Sequence, residues 1–463
     1  MGLDSGIEIR RGNEARRFER PLLAVTIVAL LLSGRSVCAQ ERVTLPLTLR
    51  DAIHLALTEG TAKKLAEDRV AEARLGVDEA DAAFRLKLDA FARGFDASLD
   101  LETIGFTLPN GERIIGPYGA FESQVRAAIS VYDVAARTKR ELAERGVEVS
   151  GFEVKRVENG VAAAVAKLYT LAQKTEAQIA AHEAAVTLFE RLLQVAQDQH
   201  AAGVATRIDL TRAEAQLARE QQALLVARSQ RDAIRLALLH ALGADQSSEI
   251  VLLDPLSPAE NVAPLDESLR VARERRPELA VLDARLRQAG AGIDTAKALR
   301  MPVLSLQAQA GYSGYHMTNL DLTRTVAALV TVPIYTGGLI ETQIGRATLM
   351  VHEVELARSE AERQIEEDVR RAQLGFETAR SRVALAGTNV RLAEEELELS
   401  RDRFVNGVAN GMEVDNAQTS FVAAKQDQIA ALADQRQAEL DLARATGAIR
   451  ALIEPAENPE SGK

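Results

Sequence analysis

The turns Gly203-Val204-Ala205-Thr206-Arg207-Ile208-Asp209-Leu210 and Gly407-Val408-Ala409-Asn410-Gly411-Met412-Glu413-Val414 are the same turn written twice. Aligned on their glycines, they stay in phase through Ala213 and Ala417 at a constant offset of 204. Further out, Leu49, Ala52, Ile53 and Ala56 pair with Leu265, Ser268, Leu269 and Ala272. Residues 49–243 and 265–449 thus each run helix, strand pair, long helical hairpin. A duplicated unit usually means that neither copy buries its apolar surface alone. The pattern predicts a pseudo-symmetric wall or ring rather than an enzyme with one cleft.

Proline marks where the long helices lie. None occurs between Pro117 and Pro255, or between Pro333 and Pro455. Proline is the strongest helix breaker, and both windows are rich in Ala, Leu, Glu, Gln and Arg. The spacing predicts helices over 136–201, 207–243, 338–406 and 412–450. At about 1.5 Å per residue, the first and third each reach roughly 100 Å. Leu210, Leu217 and Leu224 fall seven apart with Ala213 and Ala227 between them, as in a coiled-coil seam. Asp209 and Glu413 stand in the first turn of the returning helices, where the helix dipole favours carboxylates.

Between the short helices and the hairpins the apolar period changes from 3.6 to 2. Phe121, Val125, Ala127, Ile129 and Val131 share one face, against Glu122, Gln124, Arg126 and Ser130. In the second copy Leu304, Leu306, Ala308, Ala310 and Tyr312 alternate with Ser305, Gln307 and Gln309. Leu322, Val326, Ala328, Val330 and Val332 follow on one face. The segment 86–100 alternates less cleanly, with a phase change near Gly94. Segments of about 10 residues, apolar outside and polar inside, match the strands of a water-filled membrane barrel. Four strands cannot close such a barrel, and lipid leaves open edges unpaired, so other subunits must complete it. Three chains make 12 strands, and other multiples fit equally. The absence of Trp departs from the aromatic girdles usual in such barrels.

The first 39 residues are of another kind. Arg10, Arg11, Arg16, Arg17 and Arg20 precede an apolar run from Pro21 to Leu32, followed by Val37-Cys38-Ala39. This is the pattern of a secretory signal peptide with an apolar run too short for a spanning helix. Cleavage after Ala39 removes the only cysteine. Lipidation at Cys38 is the competing reading, disfavoured by Val37 and Arg35 where a small residue and a leucine are wanted. The division is then 1–39 signal peptide, 40–250 first repeat, 251–453 second repeat and 454–463 C-terminal tail. Within the repeats, strands are expected over about 86–134 and 302–335, and hairpins over about 136–243 and 338–450. The chain is acidic, at −11 overall. Interspersed signs argue against nucleic-acid binding.

These residues resemble the TolC-like outer membrane efflux protein family. The resemblance runs from Leu47 to about Ile449. It rests on Leu47-Thr48-Leu49-Arg50-Asp51-Ala52-Ile53, on Val332-Pro333-Ile334-Tyr335-Thr336-Gly337-Gly338, and on the duplicated turns followed by Ala213-Glu214-Ala215-Gln216 and Ala417-Gln418. Val131-Tyr132-Asp133-Val134 is the first-copy relative of the second motif, without the glycine pair. The resemblance implies a mostly α protein with β, a homotrimer whose 12-stranded barrel in the outer membrane continues into a periplasmic α-helical barrel. It implies docking to a periplasmic adaptor joined to an inner-membrane pump, and passage of cargo without chemistry. Gly203, Val204, Ala205 and Thr206, with Gly407, Val408, Ala409 and Asn410, would be the adaptor-docking tips. Glu413 matches an acidic position that lines the family's periplasmic constriction. Asn416 stands where a second carboxylate often occurs, and Asp415 is one residue off that face. The sequence departs from the family in lacking the proline that opens the first strand, around Ala83-Phe84-Arg85, and in carrying Thr61 where the second copy has Pro277.

Chemistry finds little support. The six histidines are scattered without metal-ligand spacing, and no phosphate loop, nucleophile elbow or catalytic carboxylate pair is present. No enzyme activity, cofactor or metal is expected. The leading reading is the exit duct of a tripartite efflux system for small molecules or drugs. The alternatives are the outer-membrane component of a type I protein secretion system and a non-pore periplasmic coiled-coil protein.

Overall fold

The computed structural model describes residues 44–449, apart from 107–108, 110, 204, 260–261, 317–318, 407 and 409–410. The proposed signal peptide, Cys38 and the tail therefore lie outside the described residues. The first copy holds β1 (Thr44–Leu47), α1 (Leu49–Glu59), α2 (Thr61–Asp81), β2 (Lys87–Asp100), β3 (Ile114–Tyr132), α3 (Val134–Ala201) and α4 (Arg207–Leu242). The second holds β4 (Glu249–Leu252), α5 (Leu265–Arg275), α6 (Pro277–Ala298), β5 (Val303–His316), β6 (Asn319–Thr331), α7 (Leu339–Val405) and α8 (Gly411–Ala445).

Helix ends follow local chemistry. The short helix expected in each copy is in fact two. Gly60, in extended backbone, ends α1 and starts α2, and Arg276 does the same between α5 and α6. Thr61 and Pro277 occupy the same first-turn position, where proline's missing N–H costs nothing. The last helix stops at Ala445 rather than near 450, because Gly447 turns left-handed at φ 71° and the Ala448 N–H closes back onto the Ala443 carbonyl. Strand β6 ends at Thr331, four residues before the expected limit.

Shorter helices cover each long helix end to end. The 68 residues of α3 span about 100 Å. Its first half packs on α2 and α6, and its second half on α4. Helix α7 repeats this with α6 and α8. Ion pairs stitch the upper half, among them Arg140–Asp81 at 2.7 Å, Arg287–Glu148 at 2.6 Å and Arg358–Asp283 at 2.6 Å. Lower down, His182 of α3 meets Glu220 of α4 at 2.5 Å.

The core lies midway along the molecule. Leu47, Ile53, Val165, Tyr169, Leu238, Leu242, Leu440 and Ile449 pack there with buried alanines. The four-residue strands β1 and β4 pair in parallel beside it, an element pair that periodicity had not revealed. A polar tie beside this core also joins the two copies. The Asp254 carboxylate accepts the Leu49 N–H at 2.7 Å and the Tyr169 hydroxyl at 3.2 Å. That hydroxyl lies 2.9 Å from the Leu47 carbonyl as well.

The remaining strands form one four-stranded antiparallel sheet in the order β2-β3-β5-β6. Its register aligns the apolar rows read separately from each strand. Ala90 faces Val125, Val125 faces Ala310, Ala127 faces Ala308, and Ala308 faces Val326. The opposite face aligns Arg93 with Glu122, Gln124 with Gly311 and Gln307 with Ala327. Strands β2 and β6 are the sheet's outer edges, each with one strand neighbour among the described residues.

Candidate functional site

The first hairpin end is built by backbone capping. Gly203 takes φ 75°, which a residue with a Cβ adopts only at a cost. Its N–H donates to the His200 carbonyl at 3.0 Å, and the Ala205 N–H to the Gln199 carbonyl at 3.2 Å. His200 Nδ1 lies 3.0 Å from the Ala205 carbonyl. Thr206 then starts α4 by donating its N–H and hydroxyl to Asp209, at 3.0 and 2.6 Å. Those two bonds hold the Asp209 carboxyl below its ordinary range. Capping therefore accounts for Asp209. Gly203, Ala205 and Thr206 form this end, and Val204 lies outside the described residues.

The second end differs. Helix α7 closes with the Asn406 N–H and side-chain amide both donating to the Asp402 carbonyl, at 3.1 and 2.8 Å. The Val408 N–H reaches the Arg403 carbonyl at 2.8 Å. Gly407, Ala409 and Asn410 lie outside the described residues. Glu413 opens α8 and pairs with Arg403 Nε at 3.1 Å. The pair spans the turn, from the last turn of one helix to the first turn of the next. Arg403 was not among the sequence candidates. Its signal is a basic residue in the last turn of α7 opposite an acid in the first turn of α8.

Asp415 and Asn416 part company. Asn416 is exposed. Asp415 is half-buried, and its carboxyl is pushed up, first by burial and then by the charge of Asp209, with Arg212 opposing. The first-copy and second-copy ends are therefore within electrostatic reach of each other, and the approach of Asp209 to Asp415 is acid on acid. The structure thus brings Glu413 to Arg403 and Asp415 toward Asp209, and leaves Asn416 facing solvent.

At the other end of the molecule, the polar face of the sheet carries its own cluster. The Arg93 guanidinium lies over the rings of Phe91 and Phe95, at 6.0 and 5.1 Å, and pairs with Glu122 at 2.6 Å. Arg126 lies over Phe91 at 5.2 Å. Sequence periodicity did not single these out, because segment 86–100 changes phase and only the register with β3 assigns its faces. Among the described residues, no helix is long and apolar enough to cross a membrane, and no three His, Cys, Asp or Glu side chains converge as metal ligands.

Comparison with known proteins adds a family. The family described as Outer membrane efflux protein matches residues 53–244 and 269–448, one segment in each copy. Two Pseudomonas putida proteins, the probable efflux pump outer membrane protein SepC and the toluene efflux pump outer membrane protein TtgF, are each 25% identical to this chain over 342 residues. That match covers 71% of this chain and 66% of each relative, just under two thirds of their length. Among solved structures, the outer membrane protein VceC of Vibrio cholerae superposes with a TM-score of 0.71 at 17% identity. The superposition covers 86% of this chain and 96% of VceC, and the likeness is one of fold.

Proposed function

Because the chain belongs to the outer membrane efflux protein family, we propose that it is the outer-membrane exit duct of a tripartite efflux system. Three copies would close their sheets into a 12-stranded barrel and their hairpins into a helical barrel reaching through the periplasm. A periplasmic adaptor and an inner-membrane pump would deliver the cargo, and the duct would pass it outward without chemistry. Apolar small molecules are the favoured cargo, since relatives are named for efflux and one of them for toluene.

The observation that carries this reading is the sheet: its register gathers the apolar rows on one face, while two edges stay open. Such a sheet suits lipid only when closed by further strands. The helices point the same way. Leu374, Leu385, Leu392 and Leu399 form an exposed stripe along α7, spaced for one helix face. A stripe of that length suits burial against a neighbouring copy.

Within this reading the hairpin ends would form the periplasmic mouth, with the adaptor docking around Gly203–Thr206 and Gly407–Asn410. Glu413 would line the constriction, held by Arg403, and three such pairs would ring the axis. The test is the mass and pore activity of the protein extracted from outer membrane in mild detergent. A trimer that conducts in a planar bilayer is expected. A water-soluble, non-conducting species of another stoichiometry would overturn the reading and favour a coiled-coil protein without a pore.

A further inference from the structure

The two copies differ where the sheet meets the long helices. In the first, β3 passes almost directly into α3, with the Asp133 side chain accepting the Ala136 N–H as a cap. In the second, residues 332–338 intervene between β6 and α7. This inserted segment turns through Gly337 and Gly338, both left-handed at φ 64° and 84°. Before the turn stand Ile334, 96% exposed, and Tyr335, 88% exposed. No other large apolar side chain among the described residues is as exposed. Water alone gives no reason to display an isoleucine and a tyrosine side by side.

Their surroundings say what covers them. Val326 and Val330 run down the apolar face of β6 toward this segment, Val332 opens it, and all three are exposed. Five of the six tyrosines lie in the sheet or at its ends: Tyr118, Tyr132, Tyr312, Tyr315 and Tyr335. Tyr132 lies opposite Leu304 at the helical end, and Tyr312 lies opposite Leu322 toward the far end. Leu304 and Tyr312 are eight residues apart on β5. At about 3.4 Å per residue and a tilt of about 40°, that is roughly 20 Å along the membrane normal. The apolar band of a membrane barrel is about 25 Å tall, with aromatic side chains at both borders. On that scale Tyr132 and Tyr312 stand at opposite borders, and Tyr335 follows four residues after Thr331, which pairs with Val303 at the Tyr132 end.

We propose that Ile334 and Tyr335 are a lipid anchor at the periplasmic border of the sheet. Ile334 inserts at the acyl boundary and Tyr335 sits at headgroup level, with its ring in the apolar layer and its hydroxyl in the wet one. The proposal rests on the reading that the apolar face of the sheet meets lipid. The competing occupant is a neighbouring copy, since β6 is an edge strand.

The chain has no tryptophan, so one introduced indole reports its own surroundings. Tyr335→Trp and Ile334→Trp are each placed singly in the full protein and reconstituted in phosphatidylcholine vesicles with bromine at a shallow or a deep acyl position. Val326→Trp, on the middle of the apolar face, reports on the membrane reading itself. The anchor predicts that Trp emission at 335 falls by roughly half in shallow-brominated lipid, falls less in deep-brominated lipid, and is protected from aqueous iodide. Equal emission in all lipids, with the Val326→Trp probe quenched, would assign the segment to a neighbouring copy and overturn the anchor alone. Strong iodide quenching at 335 would likewise overturn it. A Val326→Trp probe that no brominated lipid quenches would instead bring down the membrane reading. Ile334→Trp must give the same ranking of lipids as Tyr335→Trp, and a reversed ranking counts against the anchor.

Discussion

Replacing Tyr169 by Phe removes one hydroxyl from the middle of the molecule and leaves the ring's volume in place. The side chain is 1% exposed. Its hydroxyl serves the Leu47 carbonyl at 2.9 Å and the Asp254 carboxylate at 3.2 Å. Neither acceptor is orphaned by the change. Leu47 keeps the Leu253 N–H at 3.0 Å, and Asp254 keeps the Leu49 N–H at 2.7 Å. The Asp254 N–H, which donates to the hydroxyl across a long 3.4 Å, does lose that acceptor, and the loss should fall at the low end for a bond to a charged group, about 1.5 kcal/mol. Asp254→Ala leaves the Tyr169 hydroxyl its Leu47 carbonyl but takes from the α1 N-terminus the carboxylate that accepts the Leu49 N–H, and should cost about 3 kcal/mol. A pH signature accompanies these losses. Burial, aided by the Asp254 charge, raises the Tyr169 pKa to about 12. The unfolded phenol ionises near 10, so between those values the unfolded chain binds fewer protons than the folded one. The contribution is fully present below about pH 10 and is lost as pH rises through about 12. The assay is urea unfolding followed by far-UV circular dichroism in detergent, with midpoints compared at constant slope. Tyr169→Phe should lower the midpoint less than Asp254→Ala and flatten the decline above about pH 10. Equal losses for the two variants, or an unchanged alkaline decline in Tyr169→Phe, would refute the idea that this hydroxyl ties the two copies together.

Other outcomes follow from the ends and faces of the molecule. Asp415→Asn should stabilise the hairpins at neutral pH. Its folded pKa is raised, so the carboxylate opposes folding above the ordinary value of 3.8, and the gain should vanish in acid, as read by thermal unfolding at several pH values. Val125→Asp and Leu306→Asp place charge on the apolar face of the sheet and should each block recovery of the protein in the outer-membrane fraction, while normal recovery of both would speak for a soluble rod. Glu413→Ala should raise single-channel conductance in planar bilayers, and unchanged conductance and ion selectivity would remove Glu413 from the constriction. Arg403→Ala distinguishes the roles of the pair: a closure held by the bridge predicts the same rise, whereas a purely acidic constriction predicts greater cation selectivity without it.

The long helices were legible because the proline-free windows are filled with good helix formers, and helices of that length absorb interior glycines such as Gly151 in α3 and Gly375 in α7. Strand faces were legible where Val125, Leu306 and Val326 alternate with polar neighbours. They were not legible in 86–100, where Phe91 and Phe95 share a face with Arg93 and only pairing to β3 fixes the assignment. Strands β1 and β4 are four residues each and lie some two hundred residues apart, so neither shows a period and their partnership is invisible until the fold forms. The break at Gly60 was hidden because α1 and α2 both read as helix and only one extended residue divides them. At the candidate site, Glu413 was found by its place in the duplicated turn. Its partner Arg403 belongs to the other arm, and their meeting depends on a reversal whose geometry the residue types alone do not specify.

The midway core also defines a mechanical division. Beyond Val165 about 36 residues of α3 continue to Ala201, and among the hairpin helices α4 and α8 pack on α3. That arm is roughly 54 Å long, so a pivot of about 5° at the core carries its end through roughly 5 Å. The sheet end is braced against such a swing by α2 and α6 with their cross-helix ion pairs. A slight rotation at the fulcrum is thus magnified into a wide travel at the hairpin ends, and a weak push on those ends acts on the fulcrum with the leverage of the whole arm. The strands above can stay still while the hairpin ends move.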